Sequence, residues 1–128
     1  GFPNPEFEEH FAYYVRVVFQ NFGHLVKYWI TFNEPLESCQ QGYGTGTLAP
    51  AYSHSGLTDY KCAHNIIKAH AKAYHIYDEE FRPQQQGILL LLNKILTKNN
   101  ICNIQRFQLF FSTIANTLRE ILKICTYV

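Results

Sequence analysis

Methionine is absent from all 128 residues, and the chain opens on Gly1 without the basic segment and apolar core of a signal peptide. An internal piece of a longer protein is the expectation. Charge of one sign is equally scarce: eleven Lys and Arg stand against ten Asp and Glu, a formal net charge of +1 with no long run of either kind. That balance excludes the basic stripe by which proteins hold nucleic acid or anionic lipid, so neither a nucleic-acid nor a membrane partner is expected. Long apolar runs are missing too, since 88–92 falls far short of the roughly 20 residues a membrane-spanning helix needs.

Cysteine is sparse. Cys39, Cys62, Cys102 and Cys125 form no CxxC pair and are too few to announce a disulfide scaffold. The segment between Cys39 and Cys62 can bring those two together, and at this stage a disulfide and two buried thiols are both compatible with the sequence. The six histidines include no pair four apart and no HExxH, which excludes a helical zinc site of that kind. His70 reads as a packed core histidine. Ser53-His54-Ser55-Gly56 lacks the first glycine of a GxSxG elbow, so a serine-hydrolase reading fails.

What the chain does have is apolar and aromatic surface: 47% of residues are hydrophobic, with nine Tyr and ten Phe, enough for a core and for stacking on small neutral ligands. Asn4-Pro5-Glu6 reads as a helix start with Asn4 as N-cap, and Phe7, Phe11, Tyr14, Val15, Val18 and Phe22 recur at helical spacing up to Gly23, a left-handed C-cap. Tyr28-Trp29-Ile30-Thr31-Phe32 reads as a strand covered on both faces. Residues 36–57, rich in Gly, Ser, Tyr and Pro, read as a long loop with a functional reason to exist. Thr58 or Asp59 then caps a second helix with an inner stripe of Tyr60, Ala63, Ile67, His70, Tyr74, Tyr77 and Phe81, stopped by Pro83. Residues 87–92 form a second strand candidate. Helix, strand, helix, strand with short links predicts an α/β architecture with parallel pairing.

Beyond Asn93 the composition narrows to Asn, Lys, Ile, Leu and Thr over 93–101. Either translated non-coding sequence or a genuine helical tail, carried by Phe107, Phe111, Ile114, Leu118, Ile121 and Leu122, accounts for it. The expected organisation is a partial barrel over 1–92 and an unrelated tail over 93–128.

The chemistry lies at the end of the first strand. Thr31-Phe32-Asn33-Glu34-Pro35 resembles the TFNEP signature that closes the fourth barrel strand in glycoside hydrolase family 1. Around it, Phe19-Gln20-Asn21-Phe22-Gly23, Gly42-Tyr43-Gly44, Ala49-Pro50, His64-Asn65 and Ala69-His70-Ala71 resemble the family as well, so the likeness covers Gly1 to Gly87. It implies a fragment of a (β/α)8 TIM barrel containing helix 3, strand 4, helix 4 and the start of strand 5. It also implies a retaining O-β-glycosidase of the β-glucosidase or lactase-like type, acting on a β-glucoside or related small glycoside without a metal or organic cofactor. In such enzymes one carboxylate attacks the anomeric carbon and a second protonates the leaving oxygen. Glu34 matches the second, the acid/base, and Asn33 matches the family's ligand for the sugar 2-hydroxyl. A secreted or lysosomal setting is implied by the same likeness.

The family's nucleophile segment, of Thr-Glu-Asn-Gly type, does not occur in this sequence. Glu120, the one acid after Arg82, stands in Leu118-Arg119-Glu120-Ile121 and does not match it. The chain alone is therefore expected to be inactive. The competing expectation is a non-catalytic remnant of the barrel with a binding role or none.

Overall fold

The structure is a computed structural model that describes residues 1–92, with side chains described up to Leu89. The expected tail lies outside the described residues. Helix α1 (Phe7–Phe22) leads to strand β1 (Tyr28–Asn33), then to the short helix α2 (Pro35–Cys39) and a π-helical turn over Gln40–Gly44. Helix α3 (Thr58–Ile76) continues through a second π-helical turn (Tyr77–Phe81) into α4 (Arg82–Gln85), and β2 (Ile88–Leu92) follows. The two strands pair in parallel, with Tyr28 opposite Ile88, Trp29 opposite Leu89 and Ile30 opposite Leu90. The α/β architecture and its parallel pairing are as the sequence predicts.

One layer of helices covers one face of this sheet. Ala12, Val15 and Phe19 of α1 pack with Ala73, Ile76, Tyr77 and Leu89, and Trp29 and Phe81 close the cluster. Phe19 sits at its centre, edge-on to Trp29 at 5.2 Å, Tyr77 at 4.9 Å and Phe81 at 5.6 Å, the tilted geometry that aromatic quadrupoles favour. Along the solvent side of α1, ion pairs join Glu8 to Lys68 and Glu9 to Lys72 of α3, and Arg16 to Glu80 of the second π-helical turn. Such exposed pairs orient the helices more than they stabilise them.

Several sequence expectations are corrected. The strand is covered on one face only: Tyr28, Ile30 and Ile88, pointing away from the helices, are 70%, 52% and 48% exposed. The buried stripe of α1 is also narrower than predicted, since Tyr14 and Phe22 are exposed; among the described residues only one flank of the helix meets α3 and the sheet. Asn4 accepts a hydrogen bond from the Glu6 amide at 3.0 Å, but the helix begins later, at Phe7. Gly23 has right-handed φ −62° and donates to the Phe19 carbonyl. Glycine here makes room for a bridge: a Cβ would lie 2.0–2.1 Å from the Gln85 amide, which donates to the Phe19 carbonyl at 2.9 Å and would have to turn aside.

Neither Thr58 nor Asp59 caps α3. Leu57 holds the cap position without a side-chain bond, and Asp59 is buried, accepting from the Ser55 hydroxyl and the Tyr60 amide. Tyr60, placed on the inner stripe by its spacing, is exposed. Pro83 does not stop the helix outright. The π-helical turn ends the hydrogen-bond ladder at Phe81, so Pro83 falls in the first turn of α4, where a missing N–H costs nothing.

Candidate active site

The candidate residues sit where β1 leaves the sheet, and two backbone irregularities decide how they are presented. The first is a bulge: Ile30 pairs with Leu90 and Asn33 with Leu92, so β1 carries one more residue than β2 over the same span. Thr31 and Phe32 consequently both face the helices. Thr31 Oγ1 lies 2.8 Å from His70 Nδ1 on α3, while Phe32 stacks on Phe11 of α1 with ring centroids 4.5 Å apart. Strict alternation would have placed Asn33 among those helices; with the bulge it emerges exposed.

The second irregularity is at Glu34, whose φ of 45° and ψ of 58° are left-handed. Side chains other than glycine reach this region at a cost of about 1–2 kcal/mol, and the residue before a proline is ordinarily driven to extended geometry. Glu34 breaks both preferences. The turn sends the chain out of the sheet into α2, where the Glu34 carbonyl accepts the Ser38 amide at 3.0 Å and Pro35 occupies the first helical position. Glu34 itself is half-buried, beside the exposed Asn33.

Residues 36–57, expected as a continuous loop, begin with α2 and the π-helical turn. Cys39 at the end of α2 is joined by a disulfide to Cys62 of α3, and both are fully buried. Gly42 lets the later part of the connection fold back, because a Cβ there would lie 2.8 Å from the Ala49 carbonyl oxygen. Tyr43 and Tyr52 stack with centroids 6.0 Å apart. They line a cavity of about 350 Å³ together with Pro3, Asn4, Pro50 and Thr58.

Beneath the site, burial holds the His70 imidazole below its ordinary pKa, which favours the neutral ring beside Thr31. Sequence reasoning identified His70 as a packed histidine but missed its polar partner; a threonine in the strand facing a histidine on the following helix was the available signal. Among the described residues no cluster of His, Cys, Asp or Glu could hold a metal ion, and no helix is long and apolar enough to cross a membrane.

The model of glycosyl hydrolase family 1 matches residues 1–123. Human (Homo sapiens) lactase/phlorizin hydrolase is 44% identical over 91 residues, which are 71% of this chain and 5% of that protein. A rice Os3BGlu6 β-glucosidase structure superposes with a TM-score of 0.73 at 34% identity, covering 75% of this chain and 22% of the other. A family 1 β-glucosidase from the fungus Humicola insolens, solved with glucose, gives 0.65 at 37% identity, covering 71% of this chain and 21% of the other. The chain thus spans less than a quarter of each of these relatives, and such neighbours imply a TIM barrel of which the described residues supply two parallel strands and their helices. With a family model matched over nearly its whole length, the chain belongs to glycosyl hydrolase family 1.

Proposed function

We propose that this chain is the acid/base-bearing piece of a retaining β-glycosidase of the O-β-glucosidase type, and that it has no hydrolytic activity alone. The observation that carries the reading is the paired presentation of Asn33 and Glu34 at the C-terminal end of a parallel strand, aimed by a bulge and a left-handed turn. In α/β barrels that end of the strand faces substrate. Backbone outliers of this kind cluster at working sites, where the surrounding structure holds them.

In this reading the protonated Glu34 gives its proton to the glycosidic oxygen as the bond to the anomeric carbon breaks. As a carboxylate it then takes a proton from the water that releases the sugar. Asn33 holds the sugar 2-hydroxyl, a contact that tightens as positive charge grows on the ring. The attacking carboxylate belongs to a segment that this sequence does not contain. The substrate is a β-glucoside or related small glycoside, and neither residue role calls for a cofactor.

The test uses the full-length parent enzyme carrying Glu34→Ala. Substrates with poor leaving groups should slow by about 10²–10⁴-fold, activated aryl glycosides far less, and azide should partly restore turnover as a β-glycosyl azide. Equal losses on both substrate types would remove Glu34 from the acid/base role.

A further inference from the structure

The strained turn at Glu34 needs something to hold it, and α2 has little of its own to offer. It is five residues long, runs directly into the π-helical turn of Gln40–Gly44, and has an N-cap that makes no side-chain hydrogen bond. Even the two together are shorter than the roughly 12–15 residues at which a helix becomes stable by itself. Pro35 and Cys39 are its buried residues, and Cys39 is covalently tied to Cys62 in the first turns of α3. Helix α3 in turn is fixed in the core through Ile66, Ala69, Ala73 and Ile76. The chain between Glu34 and the crosslink is therefore only the length of α2.

We propose that the Cys39–Cys62 disulfide is a positioning element for Glu34, holding α2 against α3 so that the residue before Pro35 stays left-handed instead of relaxing to an extended form. An extended Glu34 would redirect its carboxyl and release the Ser38 amide from the Glu34 carbonyl. This rests on the reading of Glu34 as the acid/base, but neither cysteine touches substrate in it.

The experiment is amide hydrogen exchange on the complete 128-residue chain, oxidised, against its Cys39→Ala/Cys62→Ala variant. The Ser38 and Gln40 amides, which donate to carbonyls of Glu34, Leu36 and Glu37, should lose protection about tenfold or more beyond any change at the Tyr77 amide at the end of α3. The Glu34 ¹³C shifts should move from left-handed towards extended values in the same variant. A uniform loss across Ser38, Gln40 and Tyr77 with unmoved Glu34 shifts would make the disulfide a general staple and overturn the proposal.

Should the variant fail to fold, the oxidised protein still decides. Ser38 exchange should then rise with denaturant as steeply as Tyr77 exchange, showing that α2 opens only with the whole fold; a flat denaturant response at Ser38 would mean α2 opens despite the crosslink, against the proposal. No substrate enters these measurements. Failure here leaves the leaving-group test of Glu34 intact, and failure of that test leaves this result intact.

Discussion

Thr31 of the strand and His70 of α3 meet at 2.8 Å through hydroxyl and imidazole, three residues before Glu34. This polar tie joins the strand to the helix, and burial keeps its histidine below the ordinary pKa.

A pH dependence follows from that depression. Above the unfolded-state value of 6.5 both folded and unfolded His70 are neutral and the group contributes no slope. As pH falls below 6.5 the unfolded chain takes up a proton that the folded one resists, so stability is lost until the lower folded pKa is passed. Urea unfolding at pH 7.5 and 5.5 should show the loss, and His70→Asn should flatten it. An unchanged slope in that variant would assign the effect to the other histidines.

Gly87 is the tightest joint between α4 and the second strand. Its amide donates to the Tyr77 hydroxyl at 2.8 Å and its carbonyl accepts from Arg82 at 2.8 Å. A Cβ would lie 2.2 Å from that hydroxyl and 3.0 Å from the Lys27 carbonyl oxygen. Gly87→Ala should therefore destabilise by about 1–3 kcal/mol, as overpacking does. Adding Tyr77→Phe removes the closest atom, so the double variant should lose less than the two single changes summed in urea melts; strict additivity would show that the Tyr77 hydroxyl is not the obstacle.

The purified chain, incubated with an aryl β-glucoside, should release no aglycone above a Glu34→Gln control. Retaining hydrolysis needs two carboxylates about 5 Å apart, and one carboxyl cannot serve as both nucleophile and proton donor. The uncovered sheet face of Tyr28, Ile30 and Ile88 should also drive self-association, visible by light scattering. Turnover that depends on Glu34 in this chain would contradict the assignment of the attacking carboxylate to a segment that this sequence does not contain.

The parts of the fold legible in the sequence are those set by side-chain pattern. The β-branched and aromatic run at 28–32 reads as a strand, and a helix lying between it and the next strand argues for parallel pairing. The position of Asn33 and Glu34 at the strand end came with it. What stayed hidden was backbone bookkeeping that no side chain announces: the extra residue at Thr31-Phe32, and a left-handed Glu34 where a following proline argues for extended geometry. Gly23 was misread because glycine signals either unusual φ or close approach, and only the position of Gln85 distinguishes them. Nothing in the sequence around Cys39 and Cys62 separates a crosslink from two buried thiols; only the packing of α2 against α3 joins their sulfurs.

That close approach also links two positions in inheritance. A methyl group at position 23 claims the volume that the Gln85 amide fills beside the Phe19 carbonyl, so Ala there turns the end of that side chain aside and breaks its hydrogen bond. A lineage that acquires Ala at 23 keeps the helix end through the residue's own amide bond to the Phe19 carbonyl but loses the bridge from residue 85. Residue 85 should accordingly vary more freely across family members wherever position 23 is not glycine, because its amide there has no carbonyl left to bridge.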